Sequence, residues 1–161
     1  YTIVIACTGI GSMAIMLGIE RTGPYQVFAT GARQTITLRD GGYLTATRGM
    51  GGDVMSSDIA PVKALISARE PGRATRIMRF LNGEDQTYDV VFDCRIATGD
   101  GLNVQVGDIE TTAMQVTETC IGRRGREIAN TYMVDPQGRA IGSRQWAGDQ
   151  MGYIDIQVLR F

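Results

Sequence analysis

Short β-prone runs recur along all 161 residues, and almost every one ends at a glycine-bearing turn. Asp40-Gly41-Gly42, Asn82-Gly83, Gly99-Asp100-Gly101, Gly107-Asp108 and Asp135-Pro136-Gln137-Gly138 are all turn signals. Glycine supplies positive φ at little steric cost, and proline presets the second turn position. The runs between them read as strands. They are Tyr1–Ala6, Met13–Ile19, Tyr25–Phe28, Gln34–Leu38, Tyr43–Thr47, Thr75–Leu81, Thr87–Ile96, Leu102–Val106, Thr111–Cys120, Glu127–Val134, Arg139–Trp146 and Tyr153–Leu159. Several alternate polar with apolar residues, as half-buried strands do. The expectation is a mainly β fold over residues 1–161. About ten short strands form an antiparallel meander, as a curved sheet, half-barrel or sandwich, with one short helix. That helix is expected over Pro61–Ala68, with Pro61 in its first turn and Ser57 or Asp58 as its cap.

Composition narrows the functions. The net charge is −1, which gives no electrostatic reason to favour nucleic acid. The chain has no histidine, so the commonest general base and the commonest metal ligand are missing. The glycines of Gly49-Met50-Gly51-Gly52 suggest a phosphate cradle. Their spacing fits no nucleotide-binding pattern and no Lys-Ser/Thr pair follows, so a structural loop is the simpler reading. Glu84, Asp85, Asp89 and Asp93 are the carboxylates a glycoside hydrolase would need, but nothing in their spacing predicts the required separation. The expectation is a non-enzymatic protein with no cofactor and no metal.

No apolar run is long enough for a membrane-spanning helix. Residues 1–10 carry no signal-peptide pattern, which leaves a cytosolic chain or one whose signal lies ahead of Tyr1. Val4-Ile5-Ala6-Cys7 superficially fits a lipoprotein processing site, with a buried Cys7 on a strand as the plainer reading. Cys7, Cys94 and Cys120 include no C-x-x-C pair, which argues against zinc. They are either buried thiols or, in an oxidising compartment, one bonded pair and a spare.

An ordered signature occupies the second half. It comprises Glu118-x-Cys120, Asn130-Thr131-Tyr132-Met133-Val134-Asp135-x-x-Gly138, Ser143-Arg144-Gln145-Trp146 and Gly152-Tyr153-Ile154. Leu38-Arg39-Asp40-Gly41, Thr47-Arg48-Gly49-Met50-Gly51, Asp53-Val54-Met55 and Phe92-Asp93-Cys94 extend it into the first half. In order and spacing the chain resembles the YjbF/GfcB-type family of group 4 capsule and exopolysaccharide lipoproteins over roughly residues 25–160. It departs from the family pattern where tryptophans are usual, carrying Met133, Ile141 and Gly142 instead. The resemblance implies a lipoprotein on the periplasmic face of the outer membrane, accessory to polysaccharide secretion. Its expected partners are export-machinery proteins and the polysaccharide itself, with membrane contact only through an N-terminal lipid anchor. The alternative is a carrier for a sugar or lipid chain, with Met13, Met16, Met50 and Met55 lining an adaptable cavity.

With that compartment, Cys94 and Cys120 become the expected disulfide, closing a loop of about 25 residues worth roughly 2–4 kcal/mol. Glu118, Asn130, Tyr132, Arg144, Gln145 and Trp146 form a polar set with two readings. They can bind sugar, an indole face covering the ring and forked donors meeting its hydroxyls. They can equally be a structural lock, with Trp146 packed against the sheet and Arg144 held by a carboxylate, Glu118 first. Alternation predicts Arg144 and Trp146 on one face and Ser143 and Gln145 on the other. Arg123, Arg124 and Arg126 crowd one hairpin tip, either as an anionic-polymer contact or as a solvated loop.

Overall fold

The computed structural model describes residues 2–7 and 12–160. Its strands are β1 (Thr2–Cys7), β2 (Ser12–Thr22), β3 (Tyr25–Ala29), β4 (Thr35–Arg39), β5 (Tyr43–Arg48) and β6 (Val54–Asp58). After the helix α1 (Ala60–Ala68) come β7 (Gly72–Leu81), β8 (Thr87–Val106), β9 (Ile109–Gly122), β10 (Glu127–Val134), β11 (Ala140–Trp146) and β12 (Tyr153–Arg160). All pair antiparallel in one curled sheet of order β5-β4-β3-β2-β1-β12-β11-β10-β9-β8-β7-β6. The mainly β meander with one helix is as expected.

The order carries a geometric consequence. β1 pairs with both β2 and β12, so the first and last strands are neighbours in mid-sheet. The two edges, β5 and β6, are consecutive in the chain. Side chains bridge this seam. Arg48 donates through Nη1 to the Val54 carbonyl (2.8 Å) and through Nη2 to the Met55 carbonyl (3.0 Å). Thr47 Oγ1 accepts from Val54 N–H at 3.0 Å. Both edges, which would otherwise offer unpaired backbone to another chain, are thereby partly covered. The glycine-rich loop between them is structural. Asp53 accepts from Thr47 Oγ1 and from the Gly49 and Met50 N–H groups. Gly52 has φ +61°, and a Cβ there would lie 2.8 Å from Gln150 Cβ.

Three local expectations need correction. Gly99-Asp100-Gly101 is not a turn. β8 runs through it for 20 residues, with a register shift between Thr98 and Gly101, so the glycines permit an irregularity rather than a reversal. Asn82-Gly83 does not form a two-residue turn. Leu81 pairs with Thr87, and Asn82 Oδ1 holds the five-residue loop by accepting from Glu84 and Gln86 N–H. The helix cap is neither Ser57 nor Asp58 but Ile59, because both polar residues are still pairing in β6. Asp58 Oδ1 accepts one helical N–H, from Ala60, at 3.3 Å. Val62 and Ile66, one turn apart, turn the helix onto the core.

The inward faces fill the curl. Met78 and Phe80 from β7, Phe92 and Ile96 from β8, Val116 from β9, Ile128 from β10 and Ile154, Ile156 and Val158 from β12 are all buried. Met16 joins this core, whereas Met13, Ile15, Leu17 and Ile19 stand on the exposed face of β2.

Candidate functional site

Alternation on β7 places Arg76 in phase with Met78 and Phe80, so its guanidinium enters the core at 2 % exposure. Glu118 on β9 and Asn130 and Tyr132 on β10 point inward by the same rule, and Glu118 pairs in register with Asn130. The four meet. Arg76 Nε and Nη2 donate to Glu118 Oε1 and Oε2, both at 2.8 Å, in a two-pronged pair. Glu118 Oε2 also accepts from Tyr132 OH (2.8 Å) and Asn130 Nδ2 (2.9 Å), while Arg76 Nη2 donates to Tyr132 OH (3.1 Å). Asn130 Oδ1 accepts the Trp146 N–H at 2.8 Å.

Burial alone would push the Glu118 carboxyl up, but the Arg76 charge and four donated hydrogen bonds overcome it and hold its pKa below the usual range. Burial and the neighbouring Glu118 charge push Tyr132 well above the ordinary phenol range. Desolvation disfavours the charged guanidinium, yet Glu118 reverses the balance and keeps Arg76 protonated. A carboxylate so saturated with donors has no spare basicity for proton transfer. The arrangement chemically suits a fixed ion pair.

The expected Arg144–Glu118 pair does not form. Thr131, outward beside inward Asn130, is the register partner of Arg144, so Arg144 faces outward too. It binds Asp155 on β12 at 2.9 and 3.2 Å and lies over the Tyr153 ring at 4.9 Å. Nor do Arg144 and Trp146 share a face. β10–β11 pairing ends at Arg144, and the Asn130 side chain then takes the Trp146 N–H, so alternation lapses and Gln145 and Trp146 are both buried. Trp146 packs edge-on to Phe80 and Phe92, with centroids at 5.8 and 5.7 Å. Gln145 reaches across the interior to the β4–β5 hairpin, accepting from Leu44 N–H and donating to the Gly42 carbonyl.

Cys94 and Cys120 are direct cross-strand partners on β8 and β9 and are joined in a disulfide. Their sulfurs and a Glu118 oxygen lie within 4.8 Å of one another. Bonded sulfurs offer no thiolate, so this cluster is no metal site. The Cys7 side chain lies outside the described residues. Thiol labelling of unfolded, unreduced protein matured in an oxidising compartment is expected to modify Cys7 alone. Labelling of all three cysteines would contradict the bond, whose removal should cost about 2–4 kcal/mol.

Arg123, Arg124 and Arg126 sit at the β9–β10 tip, where Arg123–Gly125 forms a 3-10 turn. They border a cleft of about 830 Å³ whose other walls include Phe80, Tyr88, Trp146 and Asp149. Arg126 lies 5.8 Å above the Trp146 ring and pairs with Asp149. Among the carboxylates, Glu84 and Asp85 lie in the β7–β8 loop, Asp89 is paired with Arg79 (2.7 Å), and Asp93 is on the outer face of β8.

The sequence reading missed Arg76, Asp155 and Tyr88. For Arg76 a signal exists, because a charged residue in phase with Met78 and Phe80 marks a buried cation awaiting a partner.

A family model described as "Group 4 capsule polysaccharide lipoprotein gfcB, YjbF" matches residues 2–159. The chain belongs to this family. The YjbF fold is also seen in the crystal structure of the hypothetical lipoprotein YmcC from Escherichia coli (K12). That structure superposes with a TM-score of 0.84 at 13 % identity, covering 99 % of this chain and 83 % of that one. A comparison with curated protein sequences finds no match.

Proposed function

We propose that this YjbF-family chain is a non-enzymatic accessory protein of capsule or exopolysaccharide secretion. It works on the periplasm-facing side of the outer membrane through partners in the export machinery. The observation that carries this reading is the interior cluster. The polar residues that looked most like a site, Glu118, Asn130 and Tyr132, are inward and consumed by Arg76 and one another. That leaves the outer surface to do the work, in a family described by capsule polysaccharide. The exposed row Met13, Ile15, Leu17 and Ile19 on β2 supports contact with a partner, since solvated apolar rows of this kind usually mark interaction surfaces.

The carrier reading asks for an apolar groove of several hundred Å³. The apolar recess beside Ile3, Phe28, Leu38, Ala140 and Val158 holds only about 70 Å³, and the larger clefts of about 830 and 800 Å³ are lined by arginines and carboxylates. Of the four methionines proposed to line a cavity, Met16 is core and Met13 faces outward. These facts favour the accessory role. Deleting the gene and measuring surface and secreted polysaccharide tests it: output should fall sharply, and unchanged output while neighbouring secretion genes are expressed would remove the claim.

A further inference from the structure

Arg73 on β7 and Arg95 on β8 are direct cross-strand partners, both exposed on the outer face. Like charges placed opposite each other on a sheet repel and destabilise it. Neither has an ion-pair partner within 4.0 Å among the described residues. They line a shallow concave surface of about 800 Å³ that ends at Arg123. Arg123 also borders the neighbouring cleft, so the outer-face surface and the inner-side cleft walled by Phe80, Tyr88 and Trp146 meet at the β9–β10 tip, and a track can pass round it. Five arginines, 73, 95, 123, 124 and 126, line it against three carboxylates, Asp93, Glu127 and Asp149. At the tip, Arg124 is held at φ +74°, a left-handed conformation unfavourable for a non-glycine residue and often kept at functional sites. Beyond it Tyr88, 48 % exposed, stacks on Phe80 at 5.8 Å and presents a ring to the cleft.

We propose that this track binds an acidic polysaccharide. The inference rests on the secretion role argued above and names a ligand for the arginine-lined tip and the two surfaces that meet there. Guanidinium forks match sugar carboxylates in two-pronged geometry, and an aromatic face covers the apolar side of a pyranose. The carboxylates among the arginines accept sugar hydroxyls, which a simple polyanion lacks. Spread along two adjoining surfaces, the charges suit a chain rather than a single ion. An anion between Arg73 and Arg95 would relieve their repulsion, so the bare protein carries a strain that its ligand removes.

Fluorescence anisotropy of the whole chain against labelled polygalacturonate oligosaccharide tests this, with dextran oligosaccharide and oligothymidylate of similar length as comparisons. Polygalacturonate should bind, more weakly at high salt as exposed charges are screened, and more tightly than either comparison. Arg73→Gln with Arg95→Gln should weaken binding about tenfold or more, as loss of charge-assisted hydrogen bonds does, while raising the melting temperature. Arg124→Gly should weaken binding while relieving the left-handed backbone. Absence of binding, equal or tighter binding of oligothymidylate, or parental affinity in all of these variants would overturn the proposal. No binding here together with lost polysaccharide in the deletion strain would remove the track and leave the accessory role standing.

Discussion

Removing one member of the buried Arg76–Glu118 pair is expected to destabilise the fold by about 3–5 kcal/mol, because the surviving charge is left in the core without compensation. Arg76→Met strands a carboxylate at 0 % exposure, and Glu118→Ala strands a guanidinium at 2 %. Changing both should cost less than either alone. In Arg76→Met with Glu118→Gln, an amide oxygen at the Oε2 position can still accept from both Asn130 Nδ2 and the Tyr132 hydroxyl. Buried ion pairs replaced by neutral groups of similar volume are often close to neutral in stability. Chemical denaturation of the parent, the singles and the double forms the cycle that checks this.

Acid supplies a second readout. Glu118 has a depressed folded pKa, so it binds its proton less readily in the native than in the unfolded chain. Its stabilisation is fully present above the ordinary glutamate range and is lost as pH falls through that range toward its own depressed pKa. The double variant lacks this group, so its stability should fall less steeply in acid than the parent's.

Trp146→Ala should cost about 3–5 kcal/mol, the usual range for emptying a large aromatic site in a core. Trp146 is 6 % exposed and packs between the Phe80 and Phe92 rings under Arg126. A loss of about 1 kcal/mol lowers the melting temperature of a domain this size by roughly 2–5 °C, so the effect is plain in a thermal scan. Arg144→Ala, two residues away, is the contrast. Its pair with Asp155 is solvated, and such pairs contribute only about 0–1 kcal/mol. Equal large losses at both positions would contradict the assignment of Trp146 to the inside and Arg144 to the outside.

The meander was legible because its signals are local. Asp40-Gly41-Gly42 and Asp135-Pro136-Gln137-Gly138 reverse the chain where they stand, with Gly41, Gly42 and Gly138 at positive φ. The Cys94–Cys120 pair was legible from the oxidising compartment that the family resemblance implies, although their direct pairing needs β8 to run through Gly99-Asp100-Gly101, which reads as a turn in the sequence. The wrong partner for Glu118 came from contacts that local signals do not carry. Arg76 is on β7 and Glu118 on β9, with β8 between them, so only long side chains on a curled sheet bring them together. Trp146 escaped the period-two rule because a side chain, Asn130, displaced the backbone as the partner of its N–H. Tyr88 joined the arginine tip through the fold alone, since β8 and the β9–β10 turn lie far apart in sequence.

We propose that the interior cluster holds shape while the solvent-facing surface works. The most direct measurement is polysaccharide output from a deletion strain carrying Arg76→Met with Glu118→Gln, compared at equal protein level with the parent gene. Parental output is expected from this folded, neutral-core variant. Lost output from a variant that is present and melts like the parent would make the buried Arg76–Glu118 cluster the working site and overturn its structural role.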